Sequence, residues 1–146
     1  MSGTAGRLDD EVDSLDPGAV RALYELLGRD QEALAELVDA YVDEAPIRLG
    51  EIRKGAEHRD APLAGRAAHT LKSNGLTFGA VGFASLCRRL EIAAGEDGLA
   101  GSHDLIEQLE RQWPHVREQL TTLRDRAVTR PPSSLRARSW SSTTTR

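Results

Sequence analysis

From Asp16 to Leu123 the apolar residues recur at steps of three and four, in runs that open on an aspartate or serine and close at a glycine or proline. That period belongs to amphipathic helices and not to strands, so any core this chain builds must come from helices laid face to face. Asp16 before Pro17 is an N-cap followed by proline at the first helical position, and Val20, Leu23, Leu26 and Leu27 make the first stripe, ended by Gly28. Asp30 caps a second helix with the stripe Leu34, Leu37, Val38, Tyr41 and Val42. Pro46 lacks an N–H and crowds the preceding turn, which predicts a kink or a break near Ala45 before the helix resumes through Ile47, Leu49 and Ile52. Asp60 and Pro62 open a third helix that turns at Gly79. The fourth carries Phe83, Leu86, Cys87 and Leu90 and is closed by Gly95 and Gly98. Ser102 caps the last, where Leu105, Leu109, Trp113, Val116, Leu120 and Leu123 form the stripe and Pro114 should bend the axis.

Short loops between such helices favour antiparallel neighbours, so the expected fold is all-α: an antiparallel four-helix bundle with a short extra N-terminal helix. Residues 1–13 form an acidic leader, and the stretch 127–146 is rich in Ser, Thr, Arg and Pro. Neither can bury enough apolar surface to offset chain entropy, so both are expected to be disordered, leaving one domain at 14–126. The tail carries four arginines and no acid; subtracting them from the formal charge of −4 leaves −8 on residues 1–126. An acidic body argues against a nucleic-acid surface. Cys87 is the single cysteine, so no intrachain disulfide can form and a reducing compartment suits the chain. With no signal-peptide core in the leader and no apolar run of membrane-spanning length, a cytoplasmic protein is expected.

One residue does not fit a plain bundle. Stepping 100° per residue from Leu71, the positions Ala64, Ala67, Gly75 and Phe78 fall within ~40° and Ala68 within ~60°, which defines the core face of the third helix. His69 falls about 160° away, beside Pro62, Gly65, Ser73 and Leu76, with Lys72 roughly 60° to one side. The imidazole should therefore point into water. Its neighbours at three and four positions are Gly65, Arg66, Lys72 and Ser73, two of them small. Glycine inside a helix costs roughly 1 kcal/mol relative to alanine, and the expected return at Gly65 is open space beside the ring. Leu76, one turn beyond Ser73, offers apolar area to a partner. An imidazole in water is mostly neutral at physiological pH, and a neutral ring nitrogen can attack phosphorus without a general base. Lys72, one of two lysines in an arginine-rich chain, can set a point charge against the arriving phosphoryl group.

The stretch "AHTLKSNGLTFGA", followed by "LCRRLE", resembles the signature of histidine-containing phosphotransfer domains, the HPt modules of two-component phosphorelays. The likeness rests on histidine, leucine two on, lysine three on, a small residue four on, glycine ten on, and Cys-x-x-Leu-Glu on the next helix. "LDPGAVRALYELLGRDQEALAELVDAYVDEAP" resembles the N-terminal region of the family, so about residues 15–125 are covered. The resemblance implies a phosphocarrier on a four-helix bundle, taking a phosphoryl group from the aspartate of one receiver domain and passing it to another. It makes His69 the phosphoacceptor and Lys72 its assistant. Ser73 stands where glycine is common, and Asn74 is less usual, but both are compact. The carrier needs no cofactor, because the receiver brings the acidic pocket and Mg²⁺. A hybrid or sensor histidine kinase would stand upstream, and a monomer is expected.

The other histidines do not compete: His58 lies at a charged helix end, His103 in a first turn and His115 just past Pro114, and no pair has the spacing of a helical zinc site. Cys87 falls on the core stripe as an apolar filler. An autokinase is disfavoured, since no glycine-rich nucleotide-binding segment is present. Two alternatives remain open: an unphosphorylated helical adapter for a receiver, and the phosphotransfer domain of a chemotaxis-type histidine kinase. The N-terminal methionine and the tail fit a free-standing protein better than the latter.

Overall fold

A computed structural model describes residues 15–129. The leader and all of the tail beyond Thr129 lie outside the described residues, as do the expectations made for them. Five α-helices follow one another, α1 (Pro17–Leu26), α2 (Gln31–Glu57), α3 (Ala61–Thr77), α4 (Val81–Asp97) and α5 (His103–Thr129). Three starts are fixed by aspartate caps: Asp16 accepts from the Ala19 amide at 3.3 Å, Asp30 from Ala33 at 3.1 Å and Asp60 from Leu63 at 3.2 Å. Each satisfies an amide that the first turn would leave unpaired. The Ser102 carbonyl accepts the first bond of α5, from Ile106, and the residue itself is buried. Gly98 ends α4 in the left-handed region at φ +60°.

Helices α2 to α5 close a ring in which each packs on the next and α5 returns to α2, while α1 leans on α3. Between α3 and α4, Gly65 faces Ala94, Gly75 faces Ala84 and His69 meets Glu91. Residue numbers rise on one helix as they fall on the other, so the pair is antiparallel. Val38, Ile52, Leu71, Phe83, Leu90, Leu109 and Leu120 are fully removed from water. Tyr41 stacks on Phe78 with centroids 5.5 Å apart and meets Trp113 edge-on at 5.6 Å, joining α2, the α3–α4 turn and α5. Its hydroxyl donates to the Leu71 carbonyl at 3.4 Å. Arg53 grips Glu110 with two guanidinium nitrogens, and Arg124 reaches Asp39 at 2.7 Å, tying α2 to α5 along their rim.

Neither proline breaks a helix. Pro46 and Pro114 are exposed positions inside continuous α2 and α5. A missing bond and a crowded carbonyl cost about 3 kcal/mol locally, and the core residues flanking each ring, Ala45 with Leu49 and Trp113 with Val116, hold the helix together across it. Gly95 lies inside α4 and does not close it. Helix α5 runs past the expected boundary at 126, because Ala127 extends the Leu120–Leu123 stripe by one more step and is buried. Three assigned core positions, Leu26, Leu37 and Ile47, face water instead. Leu26 is 82% exposed, since α1 has only one side against the bundle and Leu23 occupies it, and Ile47 lies about 200° around α2 from the fully buried Ala45.

The α1 start is pinned to the α3–α4 turn, where the Asp16 amide donates to the Gly79 carbonyl at 2.8 Å. Gly79 sits at φ +78°, and a Cβ there would lie 2.7 Å from the Asp16 amide nitrogen, so only glycine fits. At Gly55 the limit is purely steric: a Cβ would meet the Asp60 carbonyl oxygen at 2.7 Å and Ala64 Cβ at 2.9 Å. Gly50, also inside α2, has nothing within 4 Å. Gly55→Ala should therefore destabilise the bundle by roughly 1–3 kcal/mol, and Gly50→Ala should stabilise it by about 0.5–1 kcal/mol. Urea unfolding of the two variants beside the wild type reads both signs.

Candidate functional site

On α3 the buried positions are Ala64, Ala67, Ala68, Leu71 and Gly75, the face derived from the wheel, and His69 stands opposite with its side chain 59% exposed. Pro62, Arg66, Ser73 and Leu76 are exposed around it, Leu76 by half. Lys72 is drawn toward α4 and its side chain is 22% exposed. Gly65 differs from the expectation. A Cβ there would sit 3.4 Å from Ala94 Cβ, an ordinary contact, so the position lies against α4 and not in fully open space.

The residue that joins these groups was not singled out as a site residue from the sequence. Glu91, on α4, places Oε2 2.8 Å from His69 Nδ1 and Oε1 2.8 Å from Lys72 Nζ. Desolvation works against its ionisation and is the largest single influence, but the hydrogen bonds and charges of Lys72 and His69 together outweigh it and hold the carboxyl below the usual glutamate range. An ionised carboxylate only accepts, so the Nδ1–H donates and the lone pair resides on Nε2. Among the described residues Nε2 has no hydrogen-bond partner. One turn before Glu91, Cys87 is fully buried, and burial first, then the Glu91 charge, push its thiol up to about 12, which makes it inert. The signal for Glu91 was present in the Cys-x-x-Leu-Glu run, but its partners lie 22 and 19 residues earlier in the chain.

An open groove of about 690 Å³ runs along the α3–α4 seam from Pro62 and Gly95 past Gly65, Arg66 and Glu91 to His69. Another, of about 660 Å³, lies between α1 and the end of α5, lined by Leu15, Val20, Tyr24 and Leu123, and shares no residue with the histidine cluster. The remaining histidines stay apart from the site: His58 follows α2, His103 pairs with Glu107 one turn on, and His115 is exposed. Among the described residues no group of three or more His, Cys, Asp or Glu side chains could hold a metal ion, and no helix is long and apolar enough to cross a membrane.

This site can present a nucleophilic nitrogen to a large partner, because the ring is lifted clear of the helix pair and anchored at one nitrogen only. The crystal structure of histidine-containing phosphotransfer protein B (HptB) from Pseudomonas aeruginosa PAO1 matches with a TM-score of 0.69 and 29% sequence identity, over 77% of this chain and 95% of that one. No curated protein matches significantly. A sequence model of the Hpt domain matches residues 36–126, most of the bundle, with the exposed histidine inside it. The chain thus belongs to the Hpt domain family, phosphocarriers that perform histidine phosphotransfer in phosphorelays together with receiver domains and histidine kinases.

Proposed function

We propose that His69 accepts the phosphoryl group from a receiver-domain aspartyl phosphate and passes it to a second receiver, with no kinase activity of its own. The observation that carries this reading is the Glu91 carboxylate on Nδ1, which leaves Nε2 as the free, outward nitrogen. In the transfer Nε2 gives its lone pair to phosphorus, the N–P bond forms and the acyl P–O bond breaks, returning the aspartate as carboxylate. The imidazole becomes cationic, and the Nδ1–H stays on Glu91, whose charge stabilises it. Lys72 shares that carboxylate and supplies a positive charge beside the arriving phosphoryl group. Gly65, Arg66, Ser73 and Leu76 border the ring and form the near edge of the partner surface. The Mg²⁺ and the acidic pocket belong to the receiver, so the carrier contributes position and charge. Residues 14–126 act as one domain, a monomer working in the cytoplasm.

Incubation with a phosphorylated receiver should label the wild type and leave His69→Gln unlabelled, while ATP alone labels neither. Binding without label in the wild type would turn the reading to an adapter. Glu91→Ala should slow transfer by about tenfold to a hundredfold, the loss of a charged hydrogen bond, with Glu91→Gln between it and the wild type because an amide oxygen can still accept from Nδ1. Stopped-time quenching of the labelling reaction measures both.

The depressed Glu91 carboxyl also predicts a pH dependence of stability. A group more acidic folded than unfolded stabilises the bundle fully above its unfolded titration range, and that contribution disappears as pH falls through the folded value. Wild-type stability should therefore drop on acidification below the ordinary glutamate range more steeply than that of Glu91→Gln, as read from urea midpoints at a series of pH values.

A further inference from the structure

The groove of about 660 Å³ between α1 and the end of α5 has no part in the histidine site. Val20, Tyr24, Leu34 and Leu123 give it apolar surface, Arg21 and Arg126 give it two positive charges, and no carboxylate lines it. Both arginines are exposed, and neither guanidinium has an ion-pair partner among the described residues. In a chain with more acids than bases this is a local reversal of sign. The two ends of the chain outside the described residues both leave beside this groove, because Leu15 and Ala127 line it. They differ in charge. The leader carries Asp9, Asp10, Glu11 and Asp13 against one arginine, with Leu8 and Val12 among the acids, whereas the tail beyond Thr129 carries four arginines and no acid. Val12 precedes Leu15 by three residues and Leu8 by seven, reaches of at most ~10 and ~25 Å, and α1, with ten residues, is about 15 Å long. Both side chains therefore come within range of the groove.

We propose that the acidic leader docks in this groove, with Leu8 and Val12 on its apolar lining and the neighbouring acids toward Arg21 and Arg126, in preference to the basic tail or a second copy of the chain. A free peptide of this composition could not offset its own ordering entropy. Here Leu15 already holds one end, so the remaining contacts form at a high effective concentration. The tail would bring like charges to the same two arginines, and a second copy would have to bring its acids without a tether. The groove shares no residue with the His69 cluster, so the inference is independent of the acceptor reading.

The full chain with Gly6→Cys and Thr122→Cys, oxidised at low protein concentration, should close an intramolecular disulfide. Thr122 lines the groove and is exposed, and the two cysteines leave Leu8, Val12 and the four acids in place. Cys87, buried with its thiol pushed up to about 12, stays out of the exchange. Arg21→Glu with Arg126→Glu should slow closure at least about fivefold, Leu8→Ser with Val12→Ser should slow it as much, and all four together little further, because either set alone releases the leader. Raised salt should slow the parent pair and leave the arginine variant nearly unchanged. Closure of Trp140→Cys onto Thr122→Cys should be slower than closure from Gly6→Cys, and should not fall when Arg21 and Arg126 are reversed. A rate that ignores both sets of substitutions would reveal a mere tether, faster closure from Trp140→Cys would give the groove to the tail, and disulfide-linked dimers as the main product would give it to a second copy. Each of these overturns the proposal. The serine variants lie outside helices α1 to α5, and helical circular dichroism checks that the arginine variants are folded.

Discussion

The close approach of α3 and α4 is the constraint on which the site depends. A glutamate side chain reaches only a few ångströms from its backbone, and Glu91 must touch both an imidazole and an ammonium on the neighbouring helix. The contact includes Gly65 and Gly75 on one helix and Ala94 and Ala84 on the other, and a Cβ at Gly65 would lie 3.4 Å from Ala94 Cβ and one at Gly75 3.6 Å from Ala84 Cβ. Larger side chains along this seam would separate the axes and lift Glu91 away from the ring.

Glu91 has two roles that pull in different directions. Towards His69 it fixes the tautomer and, on the proposed role, steadies the cation that forms when Nε2 takes the phosphoryl group. Towards Lys72 it holds a charge that an incoming phosphoryl group would also attract. A phosphoryl group carries close to two negative charges, so Lys72 has two anions to serve, and Glu91 becomes a like charge near the new group. Both partners of the ion pair are less than one-third exposed, which makes the pair stronger than an open surface bridge of 0.2–1 kcal/mol order, roughly, but leaves it within reach of solvent and of a docked domain. A carrier benefits from such balance. A group bound too favourably would not leave for the next receiver, and one left without compensating charge would not form.

How much of this was readable from residues alone follows from the range of each interaction. The face of α3 was, because a helix wheel uses only neighbours within a dozen residues: Leu71 and its companions are buried and His69 is out, as the period requires. The capped starts at Asp16, Asp30 and Asp60 are equally local. Glu91 was not, since its contact with His69 spans 22 residues and depends on the antiparallel register of two helices. Ile47 and Leu26 were misplaced for a related reason: hydrophobicity gives a side chain's preference, and the neighbouring helices decide whether a wall exists for it to meet. Of the kink or break expected at Pro46 the break does not occur, because packing on either side spans the lost bond.

Placing the proposed nucleophile in mid-helix also has a mechanical consequence. Two residues on from His69, the Leu71 carbonyl accepts from the Tyr41 hydroxyl, and Tyr41 is stacked on Phe78 and met edge-on by Trp113. The backbone that carries the imidazole is thus tied to α2 and, through the aromatic cluster, to α5, while Glu91 ties the ring itself to α4. Every helix of the ring restrains one group. On the proposed role, the domain assists transfer chiefly by presenting its nitrogen at a fixed height and angle. Helices give that precision better than loops, since their geometry is already set before the partner arrives. The bundle is rigid where alignment matters, and the partner is left to bring the groups that must move.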